Sequence, residues 1–184
     1  MSVVIQQLPK GDLVRFREID RSEEATLHYR QIGTRLVSEP VKDSIPNFFE
    51  ECPHSVAELV ARWQPVVEEG GIRLGAFADG DLVGIALLGG EVAPRVRQLA
   101  LLFVSRAHRR RGVAGSLTDA MEELARASGA EALYVSSVPT DSAVGFYLAR
   151  GFRSTEPLPK LYAEEPDDIH MLLLLERPKR VARL

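Results

Sequence analysis

The stretch V-R-Q-L-A-L-L-F-V (96–104), S-R-A-H-R-R-R-G-V-A-G-S (105–116), L-T-D-A-M-E-E-L-A-R-A (117–127) decides how the rest of the chain is read. Its first part is the apolar run of a strand, its last part carries apolar residues at helical spacing, and the joint between them is basic and contains glycine. Such a joint can hold a pyrophosphate, because the first N–H groups of a helix have no partner within it and the positive end of the helix dipole lies among them. Gly112 and Gly115 let the backbone approach an anion closely, and Ala114 adds only one methyl group. Taken alone, the same joint also reads as a basic turn capping a surface helix.

The pattern Arg109-x-x-Gly112-x-Ala114 lacks the Lys-Ser/Thr pair of a P-loop and the three glycines of a dinucleotide-binding turn. Downstream, E-A-L-Y-V-S-S-V-P-T (131–140) reads as a strand, and S-A-V-G-F-Y-L-A-R-G-F (142–152) as a short helix closed by Gly151 and Phe152. Together the two segments resemble the signatures of the GNAT superfamily of N-acetyltransferases. Arg109 to Ala114 match Q/R-x-x-G-x-G/A, and Ala143, Tyr147, Gly151 and Phe152 match A-x-x-x-Y-x-x-x-G-F, in the family's order and at about its separation.

That resemblance implies an α/β (α+β) fold in one domain spanning 1–184: a single mixed, mostly antiparallel sheet flanked by helices, with a central parallel strand pair splayed around acyl-CoA. It implies acetyl-CoA as cosubstrate, with the pyrophosphate on Arg109, Arg110, Arg111, Gly112, Val113, Ala114 and Gly115. The pantetheine arm would lie against the backbone of Leu102, Phe103 and Val104, with the Leu102 N–H donating to the developing oxyanion. Tyr147 would be the general acid, since a phenol of ordinary pKa near 10 stays protonated at neutral pH and can hand its proton to a departing thiolate.

Two positions depart from the family pattern. Where many relatives carry a glutamate base, eleven residues before Arg109, this chain has Gln98, which accepts no proton. Glu91, Glu164 and Glu165 are candidate substitutes, as is a water chain. Where many relatives carry an asparagine, seven residues before Tyr147, this chain has Thr140. Contacts to the cofactor there would pass to the hydroxyls of Thr140 or Ser142, and Ser142 also reads as a helix N-cap.

The expected reaction is transfer of acetyl to an amine of a small molecule or peptide by direct attack in a ternary complex; the alternative is a domain that senses acyl-CoA without turnover. The acidic segment Glu164, Glu165, Asp167 and Asp168, with His170 beyond it, could attract a cationic amine, although charge runs in loops are commonly just solvated. The N-terminal R-E-I-D-R-S-E and the late E-P-D-D-I-H also resemble a bacterial subgroup of the superfamily.

Composition narrows the classes that remain. With 23 Lys and Arg against 26 Asp and Glu the net charge is -3, so the H-R-R-R cluster is local and no extended basic footprint recruits nucleic acid. One cysteine, Cys52, excludes an internal disulfide, and His28, His54, His108 and His170 show no metal-ligand spacing. No apolar run approaches the roughly 18 residues of a membrane span, and the N-terminus lacks a signal-peptide pattern, so the expectation is a cytoplasmic protein. A homodimer is compatible with the sequence.

Outside the central stretch, residues 3–8 and 13–19 suggest short strands, and Asp20 with Glu23 suggests a capped helix running to about Leu36. Residues 38–53 read as a long irregular loop. Ser55-Val-Ala-Glu58 is a capping box opening a second helix. Two apolar segments then join at Asp79-Gly80, the type I′ hairpin dipeptide, and a second turn is expected at Gly89-Gly90-Glu91. Residues 152–156 and 169–176 suggest a closing strand pair around an acidic loop, and the basic tail R-P-K-R-V-A-R-L reads as a frayed end.

Overall fold

The structure, a computed structural model, describes residues 2–48 and 55–176. Cys52 and His54, the end of the expected 38–53 loop and the basic tail lie outside them. Strand β1 (Val3–Gln7) leads through a 3-10 helix (Lys10–Glu18) to the hairpin β2 (Glu23–Ile32) and β3 (Arg35–Ile45). Helix α1 (Val56–Glu68) precedes β4 (Ile72–Ala78), β5 (Asp81–Ala93) and β6 (Val96–Val104). Helix α2 (Val113–Ala127), β7 (Ala132–Ser137), α3 (Asp141–Ala149), β8 (Arg153–Ser154), α4 (Pro159–Glu164) and β9 (Ile169–Leu174) follow.

Seven strands form one sheet in the order β1-β4-β5-β6-β7-β9-β8. Every neighbouring pair is antiparallel except β6 and β7, which are joined through the crossover helix α2 and run parallel. On one face Val113, Leu117, Met121 and Ala125, spaced four apart along α2, pack on Ala76, Ala86, Leu133 and Val135 of the sheet. On the other face Trp63 and Val67 of α1 and Leu13 and Phe16 of the 3-10 helix cover Ile85, Leu87 and Leu101. The Ser55 cap forms as expected, its hydroxyl accepting the Glu58 N–H at 3.1 Å. The Asp79-Gly80 turn carries the positive φ values, 52° and 96°, that type I′ requires.

The expected helix from Asp20 to Leu36 is instead β2, the Gly33-Thr34 turn and the start of β3. Asp20 does not cap a helix: its Oδ1 accepts from the Ser22 N–H at 3.0 Å and the Ser22 hydroxyl at 2.6 Å, making a local turn. The strand is then held by distant partners. The Tyr29 N–H donates to Pro139 O at 2.7 Å, Gln31 Nε2 donates to Thr155 O at 2.6 Å, and Gln31 Oε1 accepts from the His170 N–H at 2.8 Å.

Three smaller corrections have local causes. Residues 13–18, expected as strand, continue the 3-10 helix, with Leu13 and Phe16 three apart on its buried side. Gly89 and Gly90 do not turn the chain; they relax irregular pairing as β5 runs on to Ala93, and the reversal comes at Pro94-Arg95, where Arg95 takes φ 61°. The acidic loop before β9 contains α4, opened by Pro159 at its start.

Candidate active site

The parallel ladder between β6 and β7 holds for three pairs only, Val96 with Ala132, Arg97 with Leu133 and Gln98 with Tyr134. Beyond Gln98 the strands part, and β6 remains paired with β5 alone. The register shifts between Leu87–Leu101 and Leu88–Leu99, leaving Ala100 as an extra residue. This bulge breaks the alternation of faces, so Ala100 and Leu101 both pack on the α1 side while Leu99 and Leu102 face the α2 side.

Past the bulge the direction of each backbone group follows from one bond. The Ser105 N–H donates to Val83 O at 2.9 Å, so Ser105, Phe103 and Leu101 turn their N–H and C=O groups toward β5. Leu102 and Val104 turn theirs the other way, into the gap beside β7. Of the three backbone positions expected to meet a pantetheine arm, Leu102 and Val104 therefore face the gap and Phe103 does not. The Val104 carbonyl already accepts from Arg109 Nε at 3.0 Å.

At the far end of β6 the basic turn places Arg110 at φ 57° and Gly112 at φ 84°, immediately ahead of α2. Gly112 is the N-cap and no side chain caps this helix, while the first intrahelical bond runs from the Ser116 N–H to Gly112 O. The N–H groups of Val113, Ala114 and Gly115 thus point off the helix end, in the left-handed-then-helical arrangement that makes a concave anion seat. A phosphate fits this seat: nothing lies within 4 Å of where a Gly112 Cβ would stand.

The Arg109 side chain is not part of that seat. Its Nη1 pairs with Glu23 at 3.2 Å and its Nη2 donates to Arg21 O at 2.8 Å. Glu23 Oε2 also accepts from the Ser142 hydroxyl at 2.7 Å. Arg109, Glu23 and Ser142 thereby tie the basic turn, β2 and α3 together. Thr140, 1% exposed, is the N-cap of α3 in place of Ser142, its hydroxyl accepting the Ala143 N–H at 3.5 Å. Both hydroxyls expected near the cofactor are hydrogen-bonded within the protein, and Arg110 and Arg111, both exposed, lie in the turn just before Gly112.

Tyr147 lies on α3, packed edge-on against Phe146 and Phe152 at centroid distances of 5.3 and 5.1 Å. It belongs to the same apolar cluster that Leu102 borders. Burial, with the Asp168 carboxyl as a lesser cause, pushes its pKa above the usual phenol range. No hydrogen bond among the described residues engages its hydroxyl, so the proton it carries is uncommitted.

On the opposite side of the sheet, Gln98 lies at the base of a cavity of about 360 Å³. The wall comes from Trp63 and Val66 of α1, Leu161 of α4 and the carboxylates Glu91, Glu164 and Glu165. All three glutamates weighed as substitute bases therefore line the cavity onto which Gln98 opens. Arg62 of α1 pairs with Glu165 at the end of α4 at 2.5 Å and stacks on Trp63, which fixes α4 against α1. Neither the Arg109–Glu23–Ser142 tie nor this cavity was legible beforehand, because their parts lie tens of residues apart and share no local spacing.

Asp168, just ahead of β9, is unusual among the carboxyls. Burial, with Glu165 close by, pushes it up to about 7, against the partial relief given by Arg62. The folded protein then holds this proton between about pH 4 and 7, where the unfolded chain releases it, so stability falls as pH rises through that window and levels off above it. Asp168→Asn removes this slope. Its stability relative to wild type should be higher at pH 8 than at pH 4, by up to a few kcal/mol, in urea unfolding at both pH values. A difference that does not change with pH would mean that Asp168 ionises as an ordinary surface carboxyl.

A sheet that opens between two parallel strands, with an anion seat at the start of the crossover helix, defines an acyl-CoA-dependent transferase fold. The family model for the acetyltransferase (GNAT) family matches residues 30–152, two thirds of the chain, and the chain belongs to that family. It is an acetyltransferase with acetyl-CoA as its cosubstrate. Among solved structures it resembles a nourseothricin acetyltransferase, at 20% identity over 96% of this chain and 100% of that one, with a TM-score of 0.73. It also resembles a putative streptothricin acetyltransferase from Bacillus anthracis str. Ames in complex with acetyl coenzyme A, at 17% identity, 97% and 100% coverage and TM-score 0.69. The PaiA N-acetyltransferase of Thermoplasma acidophilum in complex with coenzyme A aligns at 15% identity, 95% and 99% coverage and TM-score 0.62. No curated protein matches the chain. Among the described residues no helix is long and apolar enough to cross a membrane, and no group of three or more His, Cys, Asp or Glu residues could hold a metal ion.

Proposed function

We propose that this chain, as one domain, transfers the acetyl group of acetyl-CoA to a primary amine of a small molecule or peptide by direct attack within a ternary complex. The observation that carries this reading is the end of the β6–β7 ladder at Gln98 and Tyr134, which leaves the Leu102 N–H and C=O turned into the gap. The N–H groups of Val113 to Gly115, with Arg110 and Arg111, hold the pyrophosphate. The Leu102 N–H donates to the carbonyl oxygen of the thioester as negative charge grows on it, a contact worth a few kcal/mol in a site with little water.

The neutral amine forms the C–N bond as the C–S bond breaks. Tyr147 supplies the proton to the leaving sulfur, and a proton of the attacking nitrogen leaves through water and restores the phenol. Gln98 takes no proton; its amide can only orient the amine. The acceptor enters from the α1 side, where the cavity above Gln98 opens, and the cosubstrate lies on the α2 side.

The test follows the free thiol of CoA released from acetyl-CoA in the presence of a panel of primary amines. Amine-dependent release, with the acetylated amine found by mass spectrometry, is the expected result. Release that does not depend on amine, or none with any amine although acetyl-CoA binds, would overturn the proposal and favour a domain that senses acyl-CoA.

A further inference from the structure

The cavity above Gln98 is charged at its mouth and uncharged at its base. Glu69, Glu91 and Glu164 are exposed around it together with one cation, Lys160, and Glu165 is already paired with Arg62, so the carboxylates outnumber the cations. Gln98, only 8% exposed, lies at the base, and no hydrogen bond among the described residues engages its side-chain amide. Its amide is reached from the cavity and is not among the fully buried polar atoms, so it offers a ligand one acceptor and one donor group at the base.

We infer that the acceptor is a small amine carrying a second, cationic group: Gln98 holds the reacting amine at the base of the cavity while Glu69, Glu91 and Glu164 hold the other charge at its mouth. This rests on the acetyl-transfer reading above and adds the substrate class. The two ends of the cavity favour different states of nitrogen. At the base, loss of water disfavours an ammonium, so the amine sits there neutral, with its lone pair free and an N–H donated to the Gln98 carbonyl. At the mouth the three carboxylates outnumber Lys160 and favour a nitrogen that stays protonated. A volume of about 360 Å³ lies at the small end of ligand pockets, which suits a compact molecule rather than a folded protein.

Two measurements test this on the full chain. The first compares kcat/KM for 1,5-diaminopentane and 1-aminopentane, which differ in the second charge. The diamine should be preferred at least tenfold, and the preference should shrink below threefold in high salt and in a Glu69→Gln, Glu91→Gln, Glu164→Gln variant, the variant's affinity for acetyl-CoA being unchanged. The second titrates 1,5-diaminopentane calorimetrically into CoA-saturated protein, which reads the site whether or not turnover occurs. Binding should weaken at least tenfold in the triple variant, and also in Gln98→Leu, where the carbonyl acceptor is lost.

Equal use of monoamine and diamine, with acetyl transfer intact, would overturn the substrate class and leave the acetyl-transfer reading standing. Absence of turnover together with diamine binding that depends on the carboxylates and Gln98 would do the reverse. Diamine binding that neither variant alters would overturn the assignment of this cavity.

Discussion

Tyr147→Phe should lower kcat by about a hundredfold or more, the usual worth of a positioned acid, while the affinity for acetyl-CoA stays within about twofold. The substitution keeps the ring and its edge-on packing against Phe146 and Phe152, so the core of the α2 face is preserved. It removes one oxygen that no described residue hydrogen-bonds, so the fold loses no internal partner. What it takes away is the only proton this side chain can give. Steady-state kinetics on acetyl-CoA and a productive amine, beside a calorimetric titration of CoA, separate the two effects. An undiminished kcat would place the acid elsewhere, and a parallel loss of CoA affinity would mean that the hydroxyl binds rather than donates.

Gly112→Asp should weaken CoA binding at least tenfold. Gly112 sits at φ 84° ahead of α2, with open space where a Cβ would project. Aspartate is among the residues that tolerate this left-handed backbone best, so the helix start survives at a cost of about 1 kcal/mol. Its carboxylate would then occupy the position where three N–H groups and the helix dipole gather negative charge, and would exclude phosphate by competition and by repulsion. Gly112→Asn, nearly the same in shape but uncharged, should lose much less. Equal affinity in wild type and the folded aspartate variant would remove the phosphates from this turn.

Much of this architecture is local and could be read directly. The Ser55 cap, the Asp79-Gly80 turn and the strand, turn and helix from Val96 to Ala127 each depend on a few adjacent residues whose backbone preferences agree. The parallel pairing of β6 and β7 followed from the helix between them, and Gly151, at φ 93°, closes α3 where the motif places it. The family signatures are legible for the same reason: an anion seat built from consecutive N–H groups has to be written in consecutive residues.

What remained was decided by partners far along the chain. Residues 23–32 become β2 by pairing with β3, and Pro139, Thr155 and His170 then anchor the strand through Tyr29 and Gln31. The H-R-R-R cluster is uniform in sequence, yet Glu23, 86 positions away, removes Arg109 from the anion seat and leaves Arg110 and Arg111 beside it. Gln98 and the glutamates around it form one cavity only after the Arg62–Glu165 pair, 103 residues apart, brings α4 against α1. Sequence by itself thus determined the family, and it proposed a place for the cofactor and a candidate acid, each from neighbours along the chain. Tertiary structure alone decided which distant side chains pair and which residues line one cavity, because such pairing depends on packing that no local spacing records.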